Sequence, residues 1–487
     1  MRKAELIFIP MPGMGHLIPA VAMAKRLVER DEGISITILI INLQFHVHTP
    51  YIQSLESDAA IDKRIGFIQL PQLDKPSDTS SRAAVTQMIL DYRPIIKQTV
   101  EERIIRSDSA GQLAGFVLDL FCTGLIDVAN ELNVPSYIFF TSGASFLSFV
   151  CHFQSLRDYH GLDVTEFQDS NNELDVPGFR NPVPFKVFPT VLMEDAGAKI
   201  ILDHAKRYRE AKGIIVNSFM ELESHSLNSL SKDADIPPIY PVGPVITLDP
   251  QNVRGVANGS HGDVDSIMRW LDDQPPASVV FLCFGSMGSF SQEQARQIAT
   301  ALERSGHRFL WSLRRAPTAD EKVGPPRDYE NLDEVLPDGF LDRTAETGKV
   351  IGWAPQVEIL SHPAVGSFVS HCGWNSTLES LWFGVPIAAW PMYAEQQLNA
   401  FLLVRELGLA AEVRMHYRWD NRKKVSNGLV EAEEIEKAIS KVMDAEDETR
   451  CKFKEMSEAS RKAMWEGGSS YAWLGRLIEE IFEGISK

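Results

Sequence analysis

The sequence has few of the features of proteins that are stabilised by disulfides, that bind nucleic acid or that consist of repeats. Its five cysteines among 487 residues lie far apart and show no CxxC pairing, which suits a reducing compartment. Basic residues are outnumbered: the formal net charge is -18, and no stretch is dominated by Lys or Arg. Such a surface repels nucleic acid and anionic membranes but accepts a small neutral or cationic ligand. No repeat of fixed period is visible.

Long uninterrupted apolar runs are also missing. The N-terminal run Glu5–Ile9 is ended at once by Pro10, which is too early for the core of a signal peptide. The uncharged stretch Leu132–Leu156 is interrupted by Pro135 and by several polar residues, among them His152. It therefore predicts a buried strand followed by a buried helix. Together these features predict a cytosolic protein without stable membrane insertion.

Two series of short runs rich in Ile, Val and Phe alternate with segments of helical spacing, the pattern of parallel α/β sheets. The first series comprises Leu6–Ile9, Ile34–Ile41, Phe67–Leu70, Phe116–Leu118, Tyr137–Phe140 and Ile214–Val216. The second comprises Val279–Phe284, Phe309–Leu313, Val350–Ile351, Phe368–Ser370 and Pro386–Trp390. One helix of the second series is predicted to begin at a capping box formed by Ser291 and Gln294.

A chain of 487 residues exceeds what one hydrophobic core usually supports, so two domains are expected. We predict a first doubly wound domain over 1–243, a polar linker rich in Gly and Pro over 244–276, and a second such domain over 277–456. A helical segment over 457–487 is predicted to pack back on the first domain. Sheets of this class bind ligands outside the carboxyl ends of their strands, so the site is expected in a cleft between the domains.

Several features after residue 352 fit an anionic nucleotide. Gly373, after a predicted strand, permits a tight turn, and the helix that follows presents free N–H groups and a partial positive charge to a diphosphate. Glu379 lies one helical turn beyond Asn375, where a carboxylate can accept hydrogen bonds from ribose hydroxyls. Taken singly, Asn and Ser at a helix start are ordinary capping residues.

Three further residues of the same region fit a base and a sugar. Trp353 offers a flat face for stacking, and Glu395 with Gln396 offers adjacent acceptors and donors for sugar hydroxyls. A Trp is usually a core residue, so each residue alone is weak support for a function. The combination within one stretch is hard to explain as packing and favours a nucleotide-sugar site.

A histidine and an aspartate follow two predicted strands of the first domain. His16 lies in the loop after the first strand, and Asp119 ends the apolar strand that contains Phe116–Leu118. A lone loop histidine is most often an ordinary residue, but a carboxylate at the end of an apolar strand is unusual without a partner. If the two side chains meet, the carboxylate fixes the imidazole tautomer and the histidine can remove a proton from a substrate hydroxyl.

The stretch Trp353–Gln396 resembles the donor-binding box of the plant family 1 UDP-dependent glycosyltransferases, and with the N-terminal motifs the resemblance covers essentially the whole chain. It implies a GT-B fold, in which two Rossmann-like domains with doubly wound parallel sheets face each other across a cleft. It also implies an inverting transfer of glucose from UDP-glucose that needs neither a metal ion nor another cofactor. Galactose and xylose stay open as alternative sugars.

The resemblance implies that His16 and Asp119 are the catalytic residues. It places uracil at Trp353 and Ala354, ribose at Gln356 and Glu379, the phosphates at His371, Asn375 and Ser376, and the sugar at Glu395 and Gln396. Gly15, Thr141, Ser286 and Trp374 complete the implied donor site, Trp374 as a companion of glucose donors.

The acceptor is expected against the first domain, between apolar and aromatic walls that suit a flat phenol. The candidate wall residues are Met14, Phe121, Phe146, Phe149, Phe188, Leu192 and Tyr393. The resembled branch of the family predicts a flavonoid or another phenylpropanoid, giving a β-O-glucoside, with terpenoid alcohols as the alternative. These small molecules are the only partners predicted, and the protein is expected to be a monomer.

Two other functions are alternatives to this hypothesis. An NAD-dependent oxidoreductase is suggested by Gly13 and Gly15 after the first strand, but Ile18 occupies the third glycine position and no acidic residue ends the second strand. A non-catalytic UDP-sugar sensor predicts binding without turnover. The strings 233–235 and 263–265 resemble the DxD motif of metal-dependent transferases but are predicted to be solvated loop residues.

Overall fold

The computed structural model describes residues 3–42, 51–53, 55, 62–73, 81–105, 111–167, 172–248, 261–316, 326–420, 425–444 and 446–485. Part of the predicted linker, 249–260, lies outside the described residues. Two parallel sheets form the framework.

The first sheet has seven strands, and all neighbouring pairs in it are parallel. The strands are β1 Ala4–Ile9, β2 Ile34–Ile40, β3 Ile65–Gln69, β4 Gln112–Asp119, β5 Ser136–Phe140, β6 Gly213–Val216 and β7 Ile239–Pro241. Their spatial order is β3-β2-β1-β4-β5-β6-β7. The order reverses between β1 and β4, which is the topological switch point of a doubly wound sheet.

The second sheet repeats this arrangement with six strands. They are β8 Val279–Cys283, β9 Arg308–Ser312, β10 Gly348–Ile351, β11 Val365–Ser370, β12 Ile387–Ala389 and β13 Ala410–Glu412. The spatial order β10-β9-β8-β11-β12-β13 places its switch point between β8 and β11. Helices on both faces bury these strands, which explains why they read as continuous apolar runs.

The helices are connected to the strands in alternation, as the sequence periodicity predicts. In chain order they are α1 Met14–Arg30, α2 Arg82–Asp91, α3 Arg93–Val100, α4 Ile126–Glu131, α5 Ala144–His160, α6 Asp195–Tyr208, α7 Met220–Leu230, α8 His261–Asp272, α9 Gln292–Ser305, α10 Phe340–Arg343, α11 Gln356–Ser361, α12 Trp374–Phe383, α13 Gln396–Phe401, α14 Ala432–Met443, α15 Glu448–Met464 and α16 Ser469–Ile485. None of these helices is long and apolar enough to cross a bilayer, a statement that covers the described residues.

Every strand predicted from the sequence overlaps an observed strand, and the predicted fold class is confirmed. The strand and helix predicted within Leu132–Leu156 are β5 and α5. Half of the predicted capping box is present: the Ser291 hydroxyl accepts from the Gln294 N–H at 3.2 Å, but the Gln294 amide bonds to Val430 instead.

Two helices near the predicted domain limits contribute to the cores. Helix α8 lies inside the predicted linker 244–276, yet its Ile267 and Leu271 are buried with the strands of the second sheet. Helix α16 packs its Leu477 and Ile481 against the first sheet. The limits of the domains themselves stay a prediction.

Candidate active site

The two switch points face each other across the cleft, and direct hydrogen bonds hold them together. The Asn375 amide donates to the carbonyl of Gly15 at 3.0 Å. The indole N–H of Trp374 donates to the carbonyl of Asn217 at 2.6 Å. The start of α12 in the second domain therefore lies against the start of α1 and the end of β6 in the first domain.

His16 and Asp119 meet at the first switch point. The pairing of β1 with β4 aligns Ile9 with Leu118, so the loop after β1 and the last residue of β4 emerge side by side. The distance between His16 Nδ1 and Asp119 Oδ2 is 2.8 Å. The other carboxylate oxygen of Asp119 accepts from the Phe121 N–H at 3.0 Å. The predicted contact between the two side chains is therefore present.

The environment of His16 favours its protonated form. Burial by itself would lower the pKa of His16, but the charge and hydrogen bond of Asp119, together with the charge of Glu395, outweigh it and raise the pKa above its ordinary 6.5. The Asp119 side chain is only 2% exposed, whereas 26% of the His16 side chain is open to solvent. The pair therefore presents the imidazole, and not the carboxylate, to a ligand.

Thr141 and Phe121 fix the position of the imidazole. The Thr141 hydroxyl lies 3.3 Å from His16 Nδ1. The Phe121 ring meets the His16 ring edge-on at 5.7 Å between centroids, and it meets His204 in the same way at 5.8 Å. Burial lowers the pKa of His204 to about 4, so this second histidine is neutral.

The second switch point holds a neutral histidine. His371 follows β11 and is buried between two glycines, so that a Cβ at Gly285 or Gly373 would come within 2.6 Å or 2.5 Å of its Nε2. Burial lowers the pKa of His371 to about 4. Cys372, next in the chain, has a positive φ of 60°. Strain of this kind in a non-glycine residue is typical of functional sites.

The Glu379 carboxylate lies one turn into α12, where it is hydrogen-bonded to a residue of α11. The Gln356 amide donates to Glu379 at 2.6 Å and to the Ser376 hydroxyl at 2.8 Å. Burial raises the pKa of Glu379 to about 7, against the lowering effect of the Gln356 hydrogen bond. These three side chains, predicted separately from the sequence, are thus one hydrogen-bonded group.

The base-binding candidates lie beside this group at the start of α11. Trp353 is half-buried and so keeps part of its indole accessible, whereas Ala354 is buried. Ser286, after β8, is exposed. The arrangement leaves the Trp353 ring and the Ser286 hydroxyl available to a ligand.

The loop Met392–Gln396, which we call the sugar loop, joins β12 to α13. The Gln396 side-chain oxygen accepts from the N–H groups of Met392 and Tyr393, both at 3.0 Å, which leaves its NH₂ as the remaining polar group. Ala394 has a positive φ of 58°. Glu395 is close enough to His16 for their charges to interact, while burial raises the Glu395 pKa. The sugar loop of the second domain thus reaches the His–Asp pair of the first.

The side chain of Trp374 contacts the first domain. Its ring is 3% exposed and packs against the first domain, where a Cβ at Gly143 would lie 2.8 Å from it. Asn217, which accepts the indole N–H, is itself fixed by hydrogen bonds to both backbone groups of Val245. The Trp374 side chain therefore joins the two domains, its backbone lies at the N-terminus of α12, and its place in the donor site stays a prediction.

The candidate acceptor walls divide into two groups. Phe149, Phe188 and Leu192 have no exposed surface, and Phe146 is 4% exposed, so these four lie in the core of this structure, and their role as acceptor walls stays a prediction. The ring pairs Phe149–Phe188 at 4.8 Å and Phe185–Phe188 at 4.6 Å show why, since the aromatic residues pack on one another. The remaining candidates, Met14, Phe121 and Tyr393, are half-buried in the cleft.

Three polar residues that stabilise the site were not predicted. Asn217 follows β6 and carries the same signal as Asp119, a polar side chain at the carboxyl end of an apolar strand. Asn399 is fully buried in α13 and donates to the carbonyl of Cys372 at 3.0 Å. Glu223 accepts from the first N–H groups of α5 at 2.8 Å. No local pattern marks the last two.

In the DxD-like string at 233–235, the Asp233 side chain makes hydrogen bonds that stabilise its own loop. The Asp233 carboxylate accepts from the Asp235 N–H at 3.0 Å and from Arg209 at 3.4 Å. The Asp263 side chain of the other string is outside the described residues.

Comparisons with known proteins agree with this geometry. The family model described as UDP-glucoronosyl and UDP-glucosyl transferase matches residues 266–454. UDP-glycosyltransferase 71A15 of Malus domestica is 52% identical over 99% of this chain and 100% of its own. A putative UDP-glucose flavonoid 3-O-glucosyltransferase 3 of Fragaria ananassa is 51% identical, again over 99% and 100%. The crystal structure of Medicago truncatula UGT71G1 complexed with UDP-glucose superposes with a TM-score of 0.85 at 41% identity, over 98% of each chain.

Two doubly wound sheets with facing switch points, one with a helix N-terminus suited to a diphosphate, define the GT-B class of nucleotide-sugar transferases. Within that class the chain belongs to the family of UDP-glucoronosyl and UDP-glucosyl transferases, as the full-length relatives show. It is therefore a UDP-glycosyltransferase.

Proposed function

We propose that the protein transfers glucose from UDP-glucose to a hydroxyl of a small phenolic acceptor, such as a flavonoid, with inversion at the anomeric carbon and without a metal ion. The observation that carries this proposal is the 2.8 Å contact between His16 and Asp119 at the cleft. The relative named as a flavonoid 3-O-glucosyltransferase and the neighbour complexed with UDP-glucose support the choice of acceptor and donor. Terpenoid acceptors and other UDP-sugars are the alternatives.

The tautomer of His16 makes it a base. An ionised carboxylate can only accept hydrogen bonds, so Nδ1 of His16 must carry the proton that it shares with Asp119. Nε2 is then the unprotonated nitrogen, and it takes the proton of the acceptor hydroxyl. The imidazolium that forms is stabilised by Asp119 and by the charge of Glu395.

Bond making and breaking then follow in one displacement. The acceptor oxygen attacks the anomeric carbon from the side opposite UDP, the bond from that carbon to the phosphate oxygen breaks, and the hydroxyl proton moves to His16. UDP leaves with the bonding electron pair, and an α-linked donor yields a β-glucoside. The N-terminus of α12, with Asn375 and Ser376, and the neutral His371 stabilise the charge on the leaving diphosphate.

The donor is proposed to lie along the second switch point. Trp353 stacks on uracil with Ala354 beside it, and the Gln356–Glu379 pair accepts and donates at the ribose. His371, Ser286 and the backbone of Trp374 meet the phosphates, and Thr141 and Gly15 approach from the first domain. Glu395 and Gln396 bind the sugar hydroxyls. Action as a cytosolic monomer stays a prediction from the sequence.

The experiment is incubation with UDP-glucose and a mixed panel of phenols and terpenoids, followed by mass detection of products that have gained a hexose. We expect transfer to phenols, and we expect His16→Ala to lower the rate by about 10²- to 10⁴-fold, the usual contribution of a general base. UDP affinity should be nearly unchanged in this variant. The control is His362→Ala, because His362 also contacts an aspartate, Asp272, at 3.1 Å but lies in the second domain. Near-normal transfer by His16→Ala would refute the base assignment.

A further inference from the structure

The guanidinium of Arg418, a residue of the second domain, is hydrogen-bonded to the first domain. Its guanidinium donates to the carbonyl of Lys186 at 2.8 Å, to the carbonyl of Phe188 at 2.7 Å and to the Thr190 hydroxyl at 2.7 Å. These acceptors belong to the segment 185–193, which precedes α6 and which we call the roof segment. One side chain thus makes hydrogen bonds to three residues of a segment that lies more than 220 positions away in the chain.

The guanidinium of Arg418 is compensated by hydrogen bonds to neutral groups. Among the described residues no carboxylate lies within ion-pair distance of it, and burial lowers the pKa of Arg418 to about 10, so the group stays charged at neutral pH. A charge taken partly out of water is costly unless hydrogen bonds compensate it, and here backbone carbonyls and a hydroxyl do so. The three bonds therefore define one position of the roof segment relative to the second domain.

The chain neighbours of Arg418 are hydrogen-bonded to the sugar loop and to the first turn of α13. The N–H of Trp419, next to Arg418, donates to the carbonyl of Met392 at 2.8 Å. The Gln397 amide donates to the carbonyl of Tyr417 at 2.8 Å. The roof segment reaches the same loop directly, since the Thr190 N–H donates to the carbonyl of Ala394 at 3.3 Å. Arg418 is thus connected to the sugar loop through its chain neighbours and to the roof segment through its guanidinium.

We propose that Arg418 is a positioning residue that clamps the roof segment over the sugar loop, so that the acceptor is held against the donor sugar and water is kept from it. This proposal rests on the transferase function proposed above. Arg418 acts through the roof segment and not by touching the reacting atoms. Its loss opens the cleft beside Ala394 while the UDP-binding residues of the second domain keep their contacts.

The test compares Arg418→Met with Arg414→Met. Arg414 lies four residues earlier in the chain and is also partly buried, but among the described residues its guanidinium bonds within the second domain, to Leu429 at 2.6 Å and to Glu434. For Arg418→Met we expect the acceptor KM to rise at least about tenfold, as for lost hydrogen bonds to a charged group. Hydrolysis of UDP-glucose should rise relative to transfer, and the Kd of UDP-glucose should stay within about twofold of wild type. Arg414→Met should leave acceptor KM and the hydrolysis ratio unchanged.

Arg418→Lys retains the charge with one donor centre in place of a planar fork, so it should recover part of the acceptor affinity. A wild-type acceptor KM and hydrolysis ratio in Arg418→Met would overturn the clamp. Equal changes in Arg414→Met and Arg418→Met would overturn it too, because they would indicate general loosening.

A second readout does not depend on turnover. Amide hydrogen exchange at Thr190, measured on the ligand-free protein, should accelerate in Arg418→Met and not in Arg414→Met. Unchanged exchange at Thr190 would contradict the clamp even if activity fell. If the wild-type protein transfers no sugar at all, the transferase proposal fails, and this exchange measurement still decides the clamp.

Discussion

The two histidines of the cleft follow parallel strands in two sheets of the same topology, yet their proton affinities move in opposite directions. The pKa of His16 is raised above 6.5, because Asp119 and Glu395 outweigh the effect of burial. The pKa of His371 falls to about 4, because burial between two glycines outweighs the raising effect of a hydrogen bond with the backbone of Cys283. One switch point therefore suits proton transfer, and the other suits neutral hydrogen bonding to a diphosphate. The sheet topology fixes where each histidine lies, and the environment of each ring determines its pKa.

The largest effect is expected from removing the carboxylate beside His16, because that charge raises the pKa of His16 and so separates it from His371. In Asp119→Asn the amide cannot fix the imidazole tautomer or stabilise the imidazolium, so we expect kcat to fall by about 10²-fold or more. UDP binding should persist because most of the proposed donor residues lie in the second domain. Steady-state kinetics with calorimetric UDP titration measures both. A kcat within a few-fold of wild type would mean that Asp119 only packs against His16.

The second prediction concerns the space around His371. A Cβ in Gly373→Ala would lie 2.5 Å from His371 Nε2, so the ring must move. Because Gly373 has φ of -60°, the backbone itself tolerates alanine, and the effect reports on the histidine alone. We expect the donor KM to rise about tenfold, the loss of one hydrogen bond to a charged group.

The control for that variant is Gly66→Ala, in β3, where a Cβ would lie an ordinary 4.0 Å from Thr37. It should leave donor KM unchanged. An unaltered donor KM in Gly373→Ala would show that the position of His371 does not matter for the phosphates.

The smallest expected effect is at Glu379, whose pKa burial raises to about 7. The ionised carboxylate is the better acceptor for ribose hydroxyls, so UDP-glucose affinity should fall about tenfold or less as the pH drops from 8 to 6. Glu379→Gln should weaken binding at pH 8 and abolish this pH dependence. Calorimetry with UDP-glucose alone tests this, and a pH dependence that survives the substitution would assign it to another group.

The sequence predicts the framework well because buried parallel strands are continuous apolar runs that can be recognised locally. It misses β7 and β13, of which the first lies in a proline-rich stretch and both have only three residues. His16 and Asp119 were predictable because both lie where parallel strands end.

The rest depends on contacts between distant parts of the chain. No local pattern shows whether Phe149 or Phe188 faces a pocket or packs into a core, because both places select the same aromatic residues. The contacts of Trp374 with Asn217 and of Arg418 with the roof segment arise only when the two domains meet. Such residues follow from the assembled structure and not from spacing.

The central claim is that Asp119 makes His16 the base, and the pH dependence of kcat/KM tests it most directly. His16 must be unprotonated to act, so the rate should fall as the pH falls through its pKa, with an acid limb above 6.5 in the wild-type protein. In Asp119→Asn the residual activity should show an acid limb at lower pH, since the carboxylate no longer stabilises the imidazolium. An acid limb at the same pH in both proteins would contradict the account.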